Sequence, residues 1–397
     1  MTPDESSRAA RRLQRRAARR RRLVTRSLLA LALAAVIAGG VVTAGALLRD
    51  DDPETRAQPT TTSSTTTTVP PVPPPTAIVR DPRRGNGQPV TFAFGGDVHF
   101  EGGLRTKLTA DPATVLAPIA FVLGAADVAV VNLETAITER GTPQDKEYKF
   151  RTPATALTAL GAAGVDAVSM ANNHGLDYGP EGLLDSLAAK AASPAPVVIG
   201  IGANATEAFA PFRVEVKGQR IAVFTATEVL DGNLLDTWTA TDTQGGLASA
   251  KPPWVDRLLA GVFAARADSD TVVVMLHWGN EGDMCPDEDQ RSLAQRLVDS
   301  GADIVVGSHA HRQQGAGRLG TAFVGYGLGN FIFYNESGPA GVSGVLQVTA
   351  TGRDVDAYSW LPAQIKGGVP EPVPPGPDTD KALADWNALR DCTGLAA

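Results

Sequence analysis

The chain has five histidines, His99, His174, His277, His309 and His311, and each comes shortly after a run of apolar residues. Asp97, Glu134 and Asn173 stand beside such runs in the same way. Imidazole nitrogens and carboxylates gathered in one place are a ligand set for zinc, manganese or iron. One histidine in such a position is more often structural. Five of five at the ends of apolar runs do not fit independent structural roles. Asp97-x-His99 and His309-x-His311 add spacing to residue type, because alternate side chains of extended chain share a side. A carboxylate such as Glu134 has two oxygens with which to bridge two ions. A pair of ions about 3.5–4 Å apart activates water and holds a phosphoryl or acyl oxygen.

The apolar runs are the elements that must position these groups. Val90–Phe94 reads as a strand entering Gly95-Gly96-Asp97, and Val128–Val131 as one entering Asn132 and Glu134. Ala167–Met170 leads to Asn172-Asn173-His174, Thr271–Leu276 to His277, and Ile304–Val306 to Gly307-Ser308-His309. Further strands are expected at Pro196–Ile201, Phe212–Val216, Arg220–Thr225, Ala322–Tyr326 and Gly344–Thr349, with a hairpin turn at Lys217-Gly218-Gln219. Helices are expected over Asp111–Leu123, Ala154–Ala163, Pro180–Ala192, Trp254–Ala267, Asp287–Ser300 and Asp380–Leu389. Strands alternating with helices predict an α/β layered fold, residues 77–368 forming one domain. In such folds the strand ends of one edge make the site. The Pro-rich stretch after residue 368 leads to a tail, 369–397, with a short helix.

The motifs together are similar to those of a known family. Gly96-Asp97, Asn132-Leu133-Glu134, Asn172-Asn173-His174 with Asp177 and Gly179, His277-Trp278-Gly279 with Glu281, Gly307-Ser308-His309-Ala310-His311 and Leu328-Gly329-Asn330-Phe331 resemble the CapA family. These are poly-γ-glutamate capsule-biosynthesis proteins within the calcineurin-like metallophosphatase superfamily. The resemblance spans roughly residues 89–335. It implies a four-layer α-β-β-α sandwich with two divalent ions (Mn, Fe or Zn) at the strand ends. Asp97, His99 and His311 would hold one ion, Asn173, His277 and His309 the other, and Glu134 would bridge them. His174 would be the proton donor to a leaving group, a task that suits imidazole. The superfamily's usual bridging residue is an aspartate, and the Asn132-x-Glu134 pattern departs from it; Asp127 is the fallback. Asp177 either orients His174 or caps the next helix. Glu281 is a supporting acid or a solvated one, Trp278 a pocket wall or core, and Asn330 a loop-bonding or a turn residue. Tyr148, Lys149 and Arg151 are candidates to face an anionic polymer or phosphoester, or else ordinary surface.

Residues 1–26 contain ten arginines, and Ser27–Leu48 is a 22-residue stretch without charge. That length suits a membrane crossing. The arginines place the N-terminus in the cytoplasm and the remainder outside, a single-pass anchor in the cell membrane. A cleaved signal peptide ending near Ala44-Gly45-Ala46 is the competing reading, but the apolar stretch is long for one. Residues 49–76, rich in Thr and Pro, read as a spacer. Residues 1–52 hold 11 Lys and Arg against 5 Asp and Glu, so a chain of net charge −7 has about −13 in its remainder. So acidic a domain is a poor nucleic-acid binder. Cys285 and Cys392 are the two cysteines. Outside the cytoplasm a disulfide between them is the favoured reading over two free thiols. The two functional classes left are a metal-dependent hydrolase of cell-envelope material and a non-catalytic member of a polymer-synthesis membrane complex.

Overall fold

The computed structural model describes residues 81–397. The basic segment 1–26, the anchor at 27–48 and the spacer 49–76 lie outside the described residues. Among the described residues no helix is long and apolar enough to cross a membrane.

Two sheets form the centre. The first contains β1 (Val90–Val98), β2 (Val128–Leu133), β3 (Ala167–Ser169) and β4 (Val197–Ile199), which run parallel in that order. The second contains β5 (Phe212–Val216), β6 (Gln219–Thr227), β7 (Thr271–His277), β8 (Ile304–Ser308), β9 (Ala316–Leu319) and β10 (Ala322–Gly325), ordered β9-β10-β8-β7-β6-β5. Within it β6, β7, β8 and β10 are parallel, with antiparallel strands at both edges. The first sheet is extended beyond β1 by β12 (Val342–Thr351), β13 (Asp354–Lys366) and β14 (Val369–Pro372), while β11 (Asn330–Ile332) also pairs with β1.

The central parallel strands β1, β2, β7 and β8 read as nearly unbroken apolar runs because both faces of each are buried. Phe92 and Phe94 of β1 and Val128 and Val130 of β2 point into the core between the sheets, where Val273 and Met275 of β7 and Ile304 and Val306 of β8 meet them. The intervening Ala93, Ala129 and Val131 turn outward, under α2 (Ala117–Leu123) and α3 (Thr155–Ala162). On the other side Val272, Val274 and Val305 face α5 (Val255–Ala265) and α6 (Glu288–Asp299). Period-two alternation thus feeds three cores, and the layers run helix, sheet, sheet, helix. Each buried Val, Leu, Ile or Phe side chain contributes about 1.5–3 kcal/mol.

Local chemistry sets several boundaries. Val216 pairs with Gln219 across a two-residue turn, with Lys217 at φ 52° and Gly218 at φ 78°, the left-handed pair that matches strand twist. Asp287 and Gln290 form a reciprocal capping box at the start of α6. The helix expected over Asp111–Leu123 begins only at Ala117. Asp111 adopts φ −157° and its carboxylate accepts the Ala113 N–H, ending instead α1 (Gly103–Ala110), which the sequence reading missed. The boundary expected at residue 368 falls inside the first sheet: β14 pairs with β13 from Val369 to Pro372. Its prolines are tolerated because β14 is an edge strand.

Helix α7 (Pro377–Ala388) leads to Cys392, which is bonded to Cys285, 107 residues away in sequence. Ala396 then pairs with Arg318 of β9. Replacing both cysteines by serine is expected to cost about 2–5 kcal/mol of stability through the freed loop. Denaturant melts of the oxidised and variant proteins measure it, and an unchanged midpoint would mean that the β9 pairing alone holds the tail.

Candidate metal centre

The C-terminal ends of the parallel strands of both sheets meet at one edge, and the histidines lie there. Close backbone approach builds the edge. A Cβ on Gly96 would sit 1.8 Å from the Gly329 carbonyl, and one on Gly307 would sit 2.0 Å from the Tyr326 carbonyl and the Trp278 Nε1. Only glycine lets β1 lie against the segment entering Asn330, or β8 against Trp278. Trp278 itself is core: fully buried, stacked on Tyr326, its Nε1 donating to the Tyr326 carbonyl at 2.8 Å.

Asp97 is fully buried at the end of β1. Its oxygens accept Asn132 Nδ2 at 2.8 Å and the His309 backbone N–H at 3.1 Å, and Oδ2 lies 3.2 Å from His311 Nδ1. Asn330 Oδ1 takes the same His311 Nδ1 at 2.8 Å, while Asn330 Nδ2 is tied to the Ala340 carbonyl. His311 Nε2 is thereby turned toward Glu134 Oε1, 3.9 Å away. His309 and His311 both stand in the left-handed region, at φ 89° and 52°. Strain of this kind costs about 1–3 kcal/mol per residue and collects at functional sites.

His277 Nε2 donates to Asn173 Oδ1 at 2.9 Å and lies 3.5 Å from Glu134 Oε1. Its Nδ1 is 3.1 Å from both Asn132 Nδ2 and Ser308 Oγ. The asparagines link the strand ends: Asn172 Nδ2 donates to Asn132 Oδ1 at 3.1 Å, and Asn172 Oδ1 accepts the His174 N–H at 3.1 Å. His174 Nδ1 bonds Asp177 Oδ2 at 2.6 Å, leaving its Nε2 4.0 Å from Glu134. Asp177 therefore orients His174. The helix that follows, α4 (Gly179–Ala192), is capped at Tyr178 without a side-chain bond.

Glu134 is the focus of the arrangement. It is fully buried, and among the described residues neither carboxylate oxygen has a hydrogen-bond partner; His309 Nδ1 and His99 Nε2 are unpartnered there too. A buried, unsatisfied carboxylate costs several kcal/mol unless a cation compensates it. Two ligand groups share Glu134: one with His277 and His309, one with Asp97 and His311. Burial, then Asp97, raises the Glu134 carboxyl well above its ordinary range. Burial opposes charge on His311, but Glu134 and Asp97 together outweigh it and lift that imidazole to about 9. Burial and then the neighbouring His311 push His309 down to about 3, and burial holds His277 far below its usual value. These residues are the right chemistry and spacing for divalent cations.

Not every expected residue falls in these two groups. His99 lies outside both, while its Nε2 is buried and unpartnered among the described residues. Its ring is packed between Phe150, Phe333 and Tyr334, with centroids 4.1–4.6 Å away, and its Nδ1 accepts the Glu101 N–H. The register of β1 shifts on both sides of Asp97, so simple alternation does not carry Asp97 and His99 to one side. Asp127 is not at the site: it binds Thr91 and Lys217 at the opposite ends of β1 and β2. Glu281, on an exposed loop, falls within ligand distance of His309 and His311. Arg151 lies over the Tyr178 ring, and neither it nor Lys149 enters the hydrogen bonds of the cluster. Sequence reasoning missed Lys146, whose Nζ is 3.0 Å from Asp177 Oδ1. It also missed the bonding roles of Asn132 and Asn172, although both stand inside the motifs.

Comparison with known proteins agrees with these motifs. Residues 91–335 match the family model described as bacterial capsule synthesis protein PGA_cap. The chain is 31% identical over 234 residues to the capsule biosynthesis protein CapA of Bacillus anthracis, covering 58% of this chain and 55% of that one. It is 29% identical over 255 residues to the PGA biosynthesis protein CapA of Bacillus subtilis, covering 64% and 65%. A probable polyglutamine synthesis accessory protein of Mycobacterium tuberculosis is 31% identical over 192 residues, 47% of this chain and 50% of that one. The chain thus matches between about half and two thirds of the length of these relatives. Among solved structures, a hypothetical protein from Thermus thermophilus aligns with a TM-score of 0.45 at 19% identity, over 70% of this chain and all of that one. A putative 5'-nucleotidase from Staphylococcus aureus aligns with a TM-score of 0.43 at 15% identity, over 77% and 58%. By its family match and the motifs that line the buried carboxylate, the chain belongs to the bacterial capsule synthesis (PGA_cap) family.

Proposed function

We propose that this is a membrane-anchored, extracytoplasmic hydrolase of the calcineurin-like metallophosphatase kind, acting on cell-envelope or capsule polymer of the poly-γ-glutamate type. The observation that carries the reading is the Glu134 carboxylate, buried and unbonded between His277, His309, His311 and Asp97. Two divalent ions (Mn, Fe or Zn) fit the two groups that share it, with Asn173 beside the first. Bound there, such ions polarise a phosphoryl or acyl oxygen and activate water. The chain's own residues do the rest. Asn330 and Asp97 aim His311, Ser308 and Asn132 fix the His277 ring, and His174 hands a proton from Nε2 to the leaving oxygen. The uncharged stretch 27–48 behind its arginines supports the anchor, and the charge of about −13 beyond it speaks against nucleic acid.

A second reading rests on the relatives' names, which describe capsule biosynthesis and an accessory role in polymer synthesis. In that case the chain is a non-catalytic part of a membrane complex. The test is purified full-length chain, loaded with Mn, Fe or Zn and assayed on phosphoesters and on polyglutamyl substrates. A metal-loaded chain that cleaves none of them sinks the catalytic reading.

Metal binding will depend on pH. His311 keeps its proton up to about pH 9, and the Glu134 carboxyl is raised, so a cation must displace protons. Affinity is expected to climb about tenfold per pH unit for each proton released, levelling above pH 9. Calorimetry in buffers of different ionisation enthalpy counts those protons, and a pH-independent affinity contradicts the assignment.

A further inference from the structure

We infer that Lys146 is a positioning residue for proton transfer, holding Asp177 and through it His174; this rests on the proton-donor role proposed for His174. The Lys146 side chain is only 8% exposed. Its Nζ pairs with Asp177 Oδ1 at 3.0 Å, bonds the Asn173 carbonyl and stands 3.4 Å from His174 Nδ1. On its far side lies the Trp238 ring, 5.4 Å away. Asp177 is fully buried, and its other oxygen is already taken by His174 Nδ1 and the Phe150 N–H, each at 2.6 Å.

Without Lys146 the Asp177 charge would be buried with no cation beside it. The carboxylate would then take up a proton or turn toward water, and either change loosens the bond that fixes the imidazole. Lys146 also clasps the backbone of Asn173, so one ammonium sets the proton donor and the neighbouring ligand segment together. A lysine suits the place: its compact charge offers three donors to acceptors lying in different directions, which a planar guanidinium cannot match. Lys149 and Arg151 lie close in sequence, but neither reaches the cluster.

The experiment compares two esters with full-length, metal-loaded protein. p-Nitrophenolate leaves without needing a proton, whereas the alkoxide of glycerol 3-phosphate needs one. K146M is expected to lose about 10- to 100-fold more kcat on glycerol 3-phosphate than on p-nitrophenyl phosphate. KM should hold, kcat is compared at equal metal loading because Lys146 also bonds the Asn173 carbonyl, and K146R should recover part of the loss. Equal losses on the two esters, or none, overturn the inference. If K146M does not fold, K146Q takes its place in the same comparison. If the wild type cleaves neither ester, the hydrolase reading passes to the polyglutamyl assay, and the positioning claim is decided by ¹H–¹⁵N spectra of the His174 ring. An Nδ1–H signal shifted by the Asp177 bond in the wild type and lost in K146M upholds it, and identical spectra sink it.

Discussion

Replacing Glu134 by glutamine is expected to strip the protein of its metal. Glu134 is shared by two of the ligand groups, so its loss takes a carboxylate from each of them at once. Glutamine keeps the shape and still fills the buried site, so the fold has no steric reason to fail. It cannot, however, offer two anionic oxygens to cations. We expect metal affinity to fall by at least about 100-fold, which removes about 2.7 kcal/mol of ligand-linked stabilisation at saturating metal. Elemental analysis of purified full-length protein and metal-dependent melting report the two quantities separately. Should E134Q retain the wild-type metal content and the wild-type rise in Tm on metal addition, the carboxylate is a structural acid and the centre lies elsewhere.

Replacing His174 by alanine is expected to lower kcat on esters with poor leaving groups by about 10²–10⁴-fold, with metal content unchanged. The separation arises because His174 stands apart from both ligand groups: Asp177 holds its Nδ1, and Phe150 stacks on its ring with centroids 4.2 Å apart. Its free Nε2 is 4.0 Å from Glu134, near enough to reach a group bound at the centre. The same variant divides the two functional readings in cells. Polymer output that disappears while the protein persists supports catalysis. Output that is unchanged supports an accessory role and removes His174 from any mechanism.

The α/β pattern and the clustering at strand ends were legible in the linear order of residues, for a physical reason. Parallel strands buried on both faces must be apolar almost throughout, so their ends show where polarity returns. Asp97, Glu134, Asn173, His277, His309 and His311 all occur at such returns. The parallel register then brings them to one edge. The glycines that permit close packing, Gly96 and Gly307, sit in the same motifs.

Tertiary structure alone decided the rest. His99 looked like a partner of Asp97 because alternation holds in a regular strand, but a register shift at Asp97 sends it into an aromatic cluster. Glu281 and Lys146 sit on loops, where no period marks a direction. Lys146 meets Asp177 across 31 residues of chain, a pairing that no local spacing announces. The terminal segment after residue 368 has the composition of a tail, yet becomes an edge strand because β13 presents unpaired backbone to it. Residue type and strand-end position settled by themselves that metal-ligating groups would gather. Which of them face the buried Glu134, and which ammonium holds His174 in place, depended on bulges and loops whose course is set by long-range contacts.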